Sequence, residues 1–364
     1  AESNWFSTRV LCDLRACVKA QLDTLAAETR QLTASQRCVP VADTTTIPNL
    51  PVTDAKYSGG VLAGNGKIYM IPRFSESVLI VDPTTNTADT TSITGLSGAD
   101  KWYGGVLANN GKIYGIPVLA ASVLMVDPAT NAVDTTTLNT GVLNPSGLWA
   151  GAALASNGKI YSVPLSVDSV LIIDPATNTT DVTTISGLST DLSKWTSAVL
   201  AGNGKIYGIP GQSQSVLIVD PVTSTADTTT IAVLGGWSGG VLAGNGKIYG
   251  IPSISAFVLV IDPNTNTFDT INTFAPGGTK WLSGVLANNG KIFGIPRSSP
   301  SVLVFDPTTN TSDTTTLAVT GPAGGKWHTG VLAGNGMIYG VPWAATSVLI
   351  IRQTCSFVDT QRGL

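Results

Sequence analysis

Hydrophobic and polar positions alternate along this chain in blocks. In one stretch, the small apolar run GGVLA (104–108) is followed by a polar NNGK. Two nearly continuous apolar runs come next, KIYGIP (112–117) and SVLMVD (122–127), then a DPATN segment and a threonine-rich AVDTTTL. Each block has a structural meaning. Gly and Ala suit a strand crowded by its neighbours, and Asn-Gly tolerates the positive φ of a type I′ hairpin turn. The unbroken apolar runs suit strands covered on both faces. Asp-Pro followed by Asn is turn chemistry, and the Thr-rich segment predicts a half-exposed outer strand.

The whole block recurs. Aligned on Asn-Gly, seven copies place their glycine at Gly66, Gly111, Gly158, Gly204, Gly246, Gly290 and Gly336, a period of 42 to 47 residues. Four short β-forming runs per repeat predict an all-β fold, a seven-bladed β-propeller of four-stranded blades. The seventh copy breaks at Arg352 and lacks its last run, while a displaced copy of that run, VADTTTI (41–47), precedes the first repeat. The expected architecture is therefore a ring closed by its own N-terminal strand, three strands from the end of the chain and one from the beginning. In that register Cys38 and Cys355 share one cut turn, which predicts a disulfide; two unpaired thiols are the alternative. A stable bridge would point to an oxidising compartment. The expected domains are 1–37, 38–355 and a tail at 356–364.

Residues 5 to 36 contain no Gly or Pro, and Leu11, Val18, Leu25 and Leu32 recur every seventh residue. This predicts an amphipathic helix, lying on the propeller or mediating self-association or docking to a partner. The start at Ala1 rather than Met is expected of a processed chain. Cys12 and Cys17, five apart, would diverge on one straight helix.

Composition removes several classes of function. The 364 residues are 43% hydrophobic and 12% charged with a net charge of −3, enough for a core and too little positive charge for nucleic acid. No apolar run is long enough to span a bilayer. The one histidine, His328, excludes multi-histidine metal sites, and no P-loop or dinucleotide fingerprint is present, so neither metal nor cofactor is expected. Thirteen of the 23 carboxylates recur with the repeat, which reads as turn capping.

What varies between repeats falls in the loops that lead into the first strand and join the second to the third. In a four-stranded blade these loops share one face, and variation concentrates where binding lives. That face collects an aromatic ring at Tyr57, Trp102, Trp149, Trp195, Trp237, Trp281 and Trp327. It also collects lysines at Lys101, Lys194, Lys280 and Lys326, next to His328. Arg73, Phe74, Glu76, Asp168, Arg297 and Trp343 complete the candidate ligand or partner site. The aromatic ring is either a set of wedges between blades or a platform for a sugar or peptide. The loop at 139–149 is the longest, a candidate specificity element.

At SVLIVDPTTNTADTTSI and VLAGNGKIYGIP the chain resembles the YVTN and NHL class of seven-bladed propellers over residues 41–352. The resemblance implies the fold, and a class that spans binding modules, scaffolds and enzymes. Lactonase-type members hold calcium on axial carboxylates and asparagines, for which the GGVLA strands here have no equivalent cluster. The expectation is a non-catalytic interaction or scaffold propeller, secreted or in an organelle lumen. It would bind a protein partner through its variable face and N-terminal helix; a lectin using the Trp/Lys ring is the alternative. Sequons at Asn178 and Asn310 fit a eukaryotic secretory route.

Overall fold

The computed structural model describes residues 16–26, 36–144, 146–272, 274, 277–322 and 325–357. Seven antiparallel four-stranded sheets follow one another as blades whose innermost strands begin at Tyr57, Trp102, Trp149, Trp195, Trp237, Trp281 and Trp327. Within blade 2 the order from the axis outward is Trp102–Leu107, Ile113–Pro117, Leu124–Asp127 and Ala132–Asp134. The seventh sheet takes Trp327–Leu332, Ile338–Pro342 and Leu349–Phe357 and finishes with the N-terminal strand Gln36–Asp43. Ring closure by the displaced strand is as the repeat register predicts. Residues 42–352 form one compact unit, and the chain ends form a second.

Blade-on-blade packing explains the sequence blocks. The second strand is buried along its whole length in every blade, because its alternate side chains meet different neighbouring blades. The core is accordingly a set of wedges. One joins Tyr69, Ile71 and Ile80 of blade 1 to Trp102, Ile113 and Leu124 of blade 2. Each such side chain, removed from water, stabilises by about 1.5–3 kcal/mol. Near the axis the inner strands nearly touch: a Cβ added at Gly59 would lie 2.3 Å from the Gly104 Cα, so this position accepts no side chain.

Two local expectations are corrected. The Asn-Gly hairpins are not type I′: only the glycine has positive φ (80° at Gly66), the Gly66 amide donates to the Ala63 carbonyl, and the Asn65 side chain accepts from the Lys67 amide. The DTTT segment is not strand. The outer strand of blade 2 stops at Asp134, whose Oδ1 accepts the amides of Thr136 at 2.7 Å and Thr137 at 3.0 Å, folding the chain into a turn. In blade 5 the segment reads DTIN, only the Thr270 amide reaches Asp269, and the outer strand runs six residues, Thr267–Asn272. Local side-chain acceptors outcompete the sheet ladder where the hydroxyls and amides are in range.

At the seam, the Thr354 hydroxyl donates to the Val39 carbonyl, and Arg352 pairs with Asp43 at 3.6 Å. The side chains of Cys38 and Cys355 lie outside the described residues, as does Cys12, and the expected disulfide with them. Cys17 is exposed and unpaired. Residues 16–26 are helical, with Val18 and Leu22 at 49% and 61% exposure. No described helix is long and apolar enough to cross a membrane.

Candidate functional site

The two rims of the ring hold their blades together differently. On the rim of Asn-Gly and Asp-Pro turns the junctions are made by side chains. Asn203 donates to the Pro263 carbonyl of the next blade at 2.8 Å and to the Tyr207 hydroxyl, which donates to Asn266. Asn335 and Tyr339 reach Pro83 and Asn86 in the same way, joining blade 7 to blade 1. On the loop rim the recurring junction is a backbone bond, to which a buried lysine ammonium adds in some blades. The Lys101 amide donates to the Arg73 carbonyl, Lys326 to Arg297 at 2.7 Å, and Lys56 to Trp343 at 3.1 Å. In six of the seven blades the residue after the second strand thus contributes its carbonyl to the ring, and in blade 4 Pro210 does so instead.

The Lys-Trp ring lies beneath this rim. Trp149, Trp195 and Trp327 are at most 2% exposed, and Trp102, Trp237 and Trp281 at most 4%. Each indole N–H donates to a carbonyl in its own blade, Trp149 to Ser169 at 2.7 Å and Trp327 to Ser347 at 2.8 Å. Tyr57 accepts from Ser75. Lysine ammoniums cap loop carbonyls: Lys101 those of Arg73, Ser75 and Gly98, Lys194 those of Val167 and Asp191, Lys280 that of Gly277. Burial lowers the pKa of Lys194, and of Lys56, to about 8 despite nearby carboxylates; it lowers Lys101, Lys280 and Lys326 too. Phe74, Glu76 and Asp168 stand exposed on the rim, away from the axis. A polar groove of ≈ 450 Å³ runs past Asp191, Lys194, Gln212 and Gln214.

Blades 6, 7, 1 and 2 bring four of the sequence candidates together at the axis. Trp343 follows the second strand of blade 7, and its ring stacks on His328 at 4.8 Å with an 18° interplanar angle. Arg297 and Arg73, at the equivalent positions of blades 6 and 1, place their guanidinium carbons 4.2 and 4.9 Å from the Trp343 centroid. Arg73 also pairs with Asp100. Tyr103 meets His328 edge-on at 5.0 Å, and Ser238 of blade 5 acts on its hydroxyl. His328 is 2% exposed, its Nδ1 has no hydrogen-bond partner, and the Ser58 backbone acts on the ring. Burial first, then the two guanidiniums, hold its pKa well below the usual histidine range, so the imidazole is neutral. Burial raises Tyr103, keeping the phenol protonated. Tyr103, Ser58 and Ser238 escaped the sequence reading. The available signal was that the second residue of the inner strand is Ser58, Ala150, Thr196, Ser238 or Leu282 in five blades and a large polar ring, Tyr103 or His328, in two. No three His, Cys, Asp or Glu side chains are grouped to hold a metal among the described residues.

No protein-family model matches the chain, and no curated protein matches it. Among solved structures it is similar to streptogramin B lyase, at 12% identity with a TM-score of 0.67 over 88% of this chain and 98% of that one. A catalytically inactive histidine-to-alanine variant of virginiamycin B lyase from Staphylococcus aureus, with quinupristin, gives 9% and 0.67 over 87% and 99%. Kuenenia stuttgartiensis hydrazine synthase gives 12% and 0.62 over 85% and 98%. An extracellular domain assigned to a one-component system of B. thetaiotaomicron gives 10% and 0.62 over 85% of this chain and 42% of that one. At these identities the likeness is one of fold, a seven-bladed propeller of the kind the YVTN/NHL resemblance implies. It overturns the expectation that the chain is not an enzyme, because lyases and a synthase have this architecture. The physical reason is that a propeller gathers reactive groups singly from separate blades, so catalysis on this fold needs none of the clustered motifs whose absence prompted that expectation.

Proposed function

We propose that the protein is an extracytoplasmic recognition propeller that receives a protein partner on its loop rim, with the helix at 16–26 as a second attachment. One observation carries this reading: the large exposed apolar side chains gather on that rim. Leu143 is 78% exposed, Leu234 74%, Leu192 57%, Ile254 52% and Phe74 44%. On the opposite rim's turns, among the described residues, Val222 stands alone at 89%. Apolar exposure gathered on one face marks an interaction surface. Burial of the tryptophan faces weighs against the sugar-binding alternative, which needs an open ring to stack on. Likeness to an extracellular domain supports the location. The test is photo-crosslinking from single positions in the protein's source. A crosslinker at Leu143 or Leu234 should capture a discrete protein species and one at Val222 should not; equal capture from both rims would overturn the reading.

A further inference from the structure

We propose that the axial cluster of Arg297, Trp343, Arg73 and His328 binds a carboxylate that carries a hydrogen-bond donor on the adjoining atom. The inference deepens the reading of the loop rim as the working face and rests on it. Arg73 is balanced by Asp100, whereas the Arg297 guanidinium has no hydrogen bond or ion pair among the described residues. The nearest further carboxylate acting on Arg297, Asp54, is exposed and caps the Ala55 amide. Two cations therefore face one paired carboxylate around a single indole. Packing against Trp343 holds the Arg297 guanidinium and leaves its N–H edge open, the group that grips a carboxylate.

The floor of the cluster narrows the choice of anion. His328 lies buried between Trp343 and Tyr103 with its ring neutral and its Nδ1 unpartnered; with the proton on the other nitrogen, Nδ1 presents a lone pair with nothing to accept. A buried polar atom left unpartnered is costly, and this one lies beside the cations. A bare oxyanion such as sulfate, which has no proton to donate, would set its oxygen against that lone pair. A ligand with an O–H or N–H next to its carboxylate satisfies arginine and histidine together. Thr329, one residue along, has a second buried and unpartnered hydroxyl. A free hydroxy acid and the C-terminal end of a polypeptide both have this chemistry.

Titration calorimetry of the full chain with lactate, propionate, sulfate and a blocked tripeptide with a free C-terminal carboxylate tests the proposal. Wild type should bind lactate or the tripeptide about tenfold more tightly than propionate, the value of one good hydrogen bond to an otherwise unsatisfied acceptor. His328→Phe, which keeps the ring stack and removes the acceptor, should abolish that preference; Arg297→Ala should weaken every carboxylate. A tighter tripeptide assigns the site to a polypeptide end, and tighter lactate to a free hydroxy acid. Equal binding of lactate, the tripeptide and propionate by wild type, or sulfate binding as well as either, overturns the proposal whether or not the variants fold. If no carboxylate binds while Leu143 still crosslinks a partner, this site fails and the rim reading stands.

Discussion

The two rims of this propeller serve the same seven blades, yet one repeats its sequence around the ring and the other does not. The difference lies in which atoms hold adjacent blades. Where Asn203, Tyr207 and their equivalents reach the next blade, the side chains themselves are the junction and each repeat needs them. Where the Lys101 amide donates to the Arg73 carbonyl, a backbone bond makes the junction whatever side chain follows the second strand, and the Lys101 ammonium only adds to it. Blade 6 is the informative exception. It carries Phe293 in place of the tyrosine, and the next blade is the one whose Asp-Pro turn was cut to make the seam. A tyrosine hydroxyl there would have no turn to meet. A rim held by side chains is thus uniform for mechanical reasons, and a rim held by backbone can be used for recognition.

The largest expected effect tests whether the loop rim's aromatics belong to recognition or to the ring. Trp149 is fully buried and bonded to Ser169, so Trp149→Ala should cost about 3–5 kcal/mol in chemical denaturation. A loss below about 1 kcal/mol, with partner binding impaired, would return the tryptophans to the binding surface. Next in size is the side-chain junction. Asn203→Ala and Asn289→Ala both remove the hairpin's own bond to the following lysine amide, but only Asn203 also bridges to the next blade. The first should therefore exceed the second by about 1 kcal/mol. Equal losses would mean the bridges contribute nothing.

Much of this was legible in the chain because it depends on local chemistry repeated many times. Asn-Gly spacing located the hairpins, and the absence of Asp-Pro after Arg352 located the seam. The DTTT segments were misjudged as strand because β-branched threonines favour a sheet, whereas the aspartate beside them captures their amides first. The axial cluster was legible only in part. Arg73, Arg297, Trp343 and His328 could be assigned to one face by loop position. That they meet on one indole depends on ring closure between residues some 270 apart, and Tyr103 occupies a position filled in most blades by a small or aliphatic residue.

A smaller effect should come from acid. Outside blade 5, each outer strand ends in an aspartate that accepts several donors. The Ser92 hydroxyl does most to hold Asp89 at about 2, and the Thr230 hydroxyl does the same for Asp227. For Asp43 and Asp181, burial pushes upward, but threonine hydroxyls and amides outweigh it and the result is again about 2. These folded values lie below the unfolded carboxylate range. Their stabilisation is therefore complete above about pH 4 and is lost as pH falls through about 2. Melting curves between pH 5 and 2 should show a decline that Asp227→Asn makes shallower; an unchanged slope in that variant would place the acid sensitivity elsewhere.

The smallest effect on stability is the one that separates the rims by function. Leu234 and Val222 are both exposed leucine- or valine-sized groups in loops, one on each rim. Neither fills a core wedge, so Leu234→Glu and Val222→Glu should each change the melting midpoint by no more than about 0.5 kcal/mol of stability allows. If the released side chains of the backbone-held rim are what recognises a partner, Leu234→Glu should lose the species captured by crosslinking and Val222→Glu should keep it. Were Val222→Glu to lose it instead, the uniform rim would be the binding surface, and its repeated asparagines and tyrosines would need explaining by more than the closure of a ring.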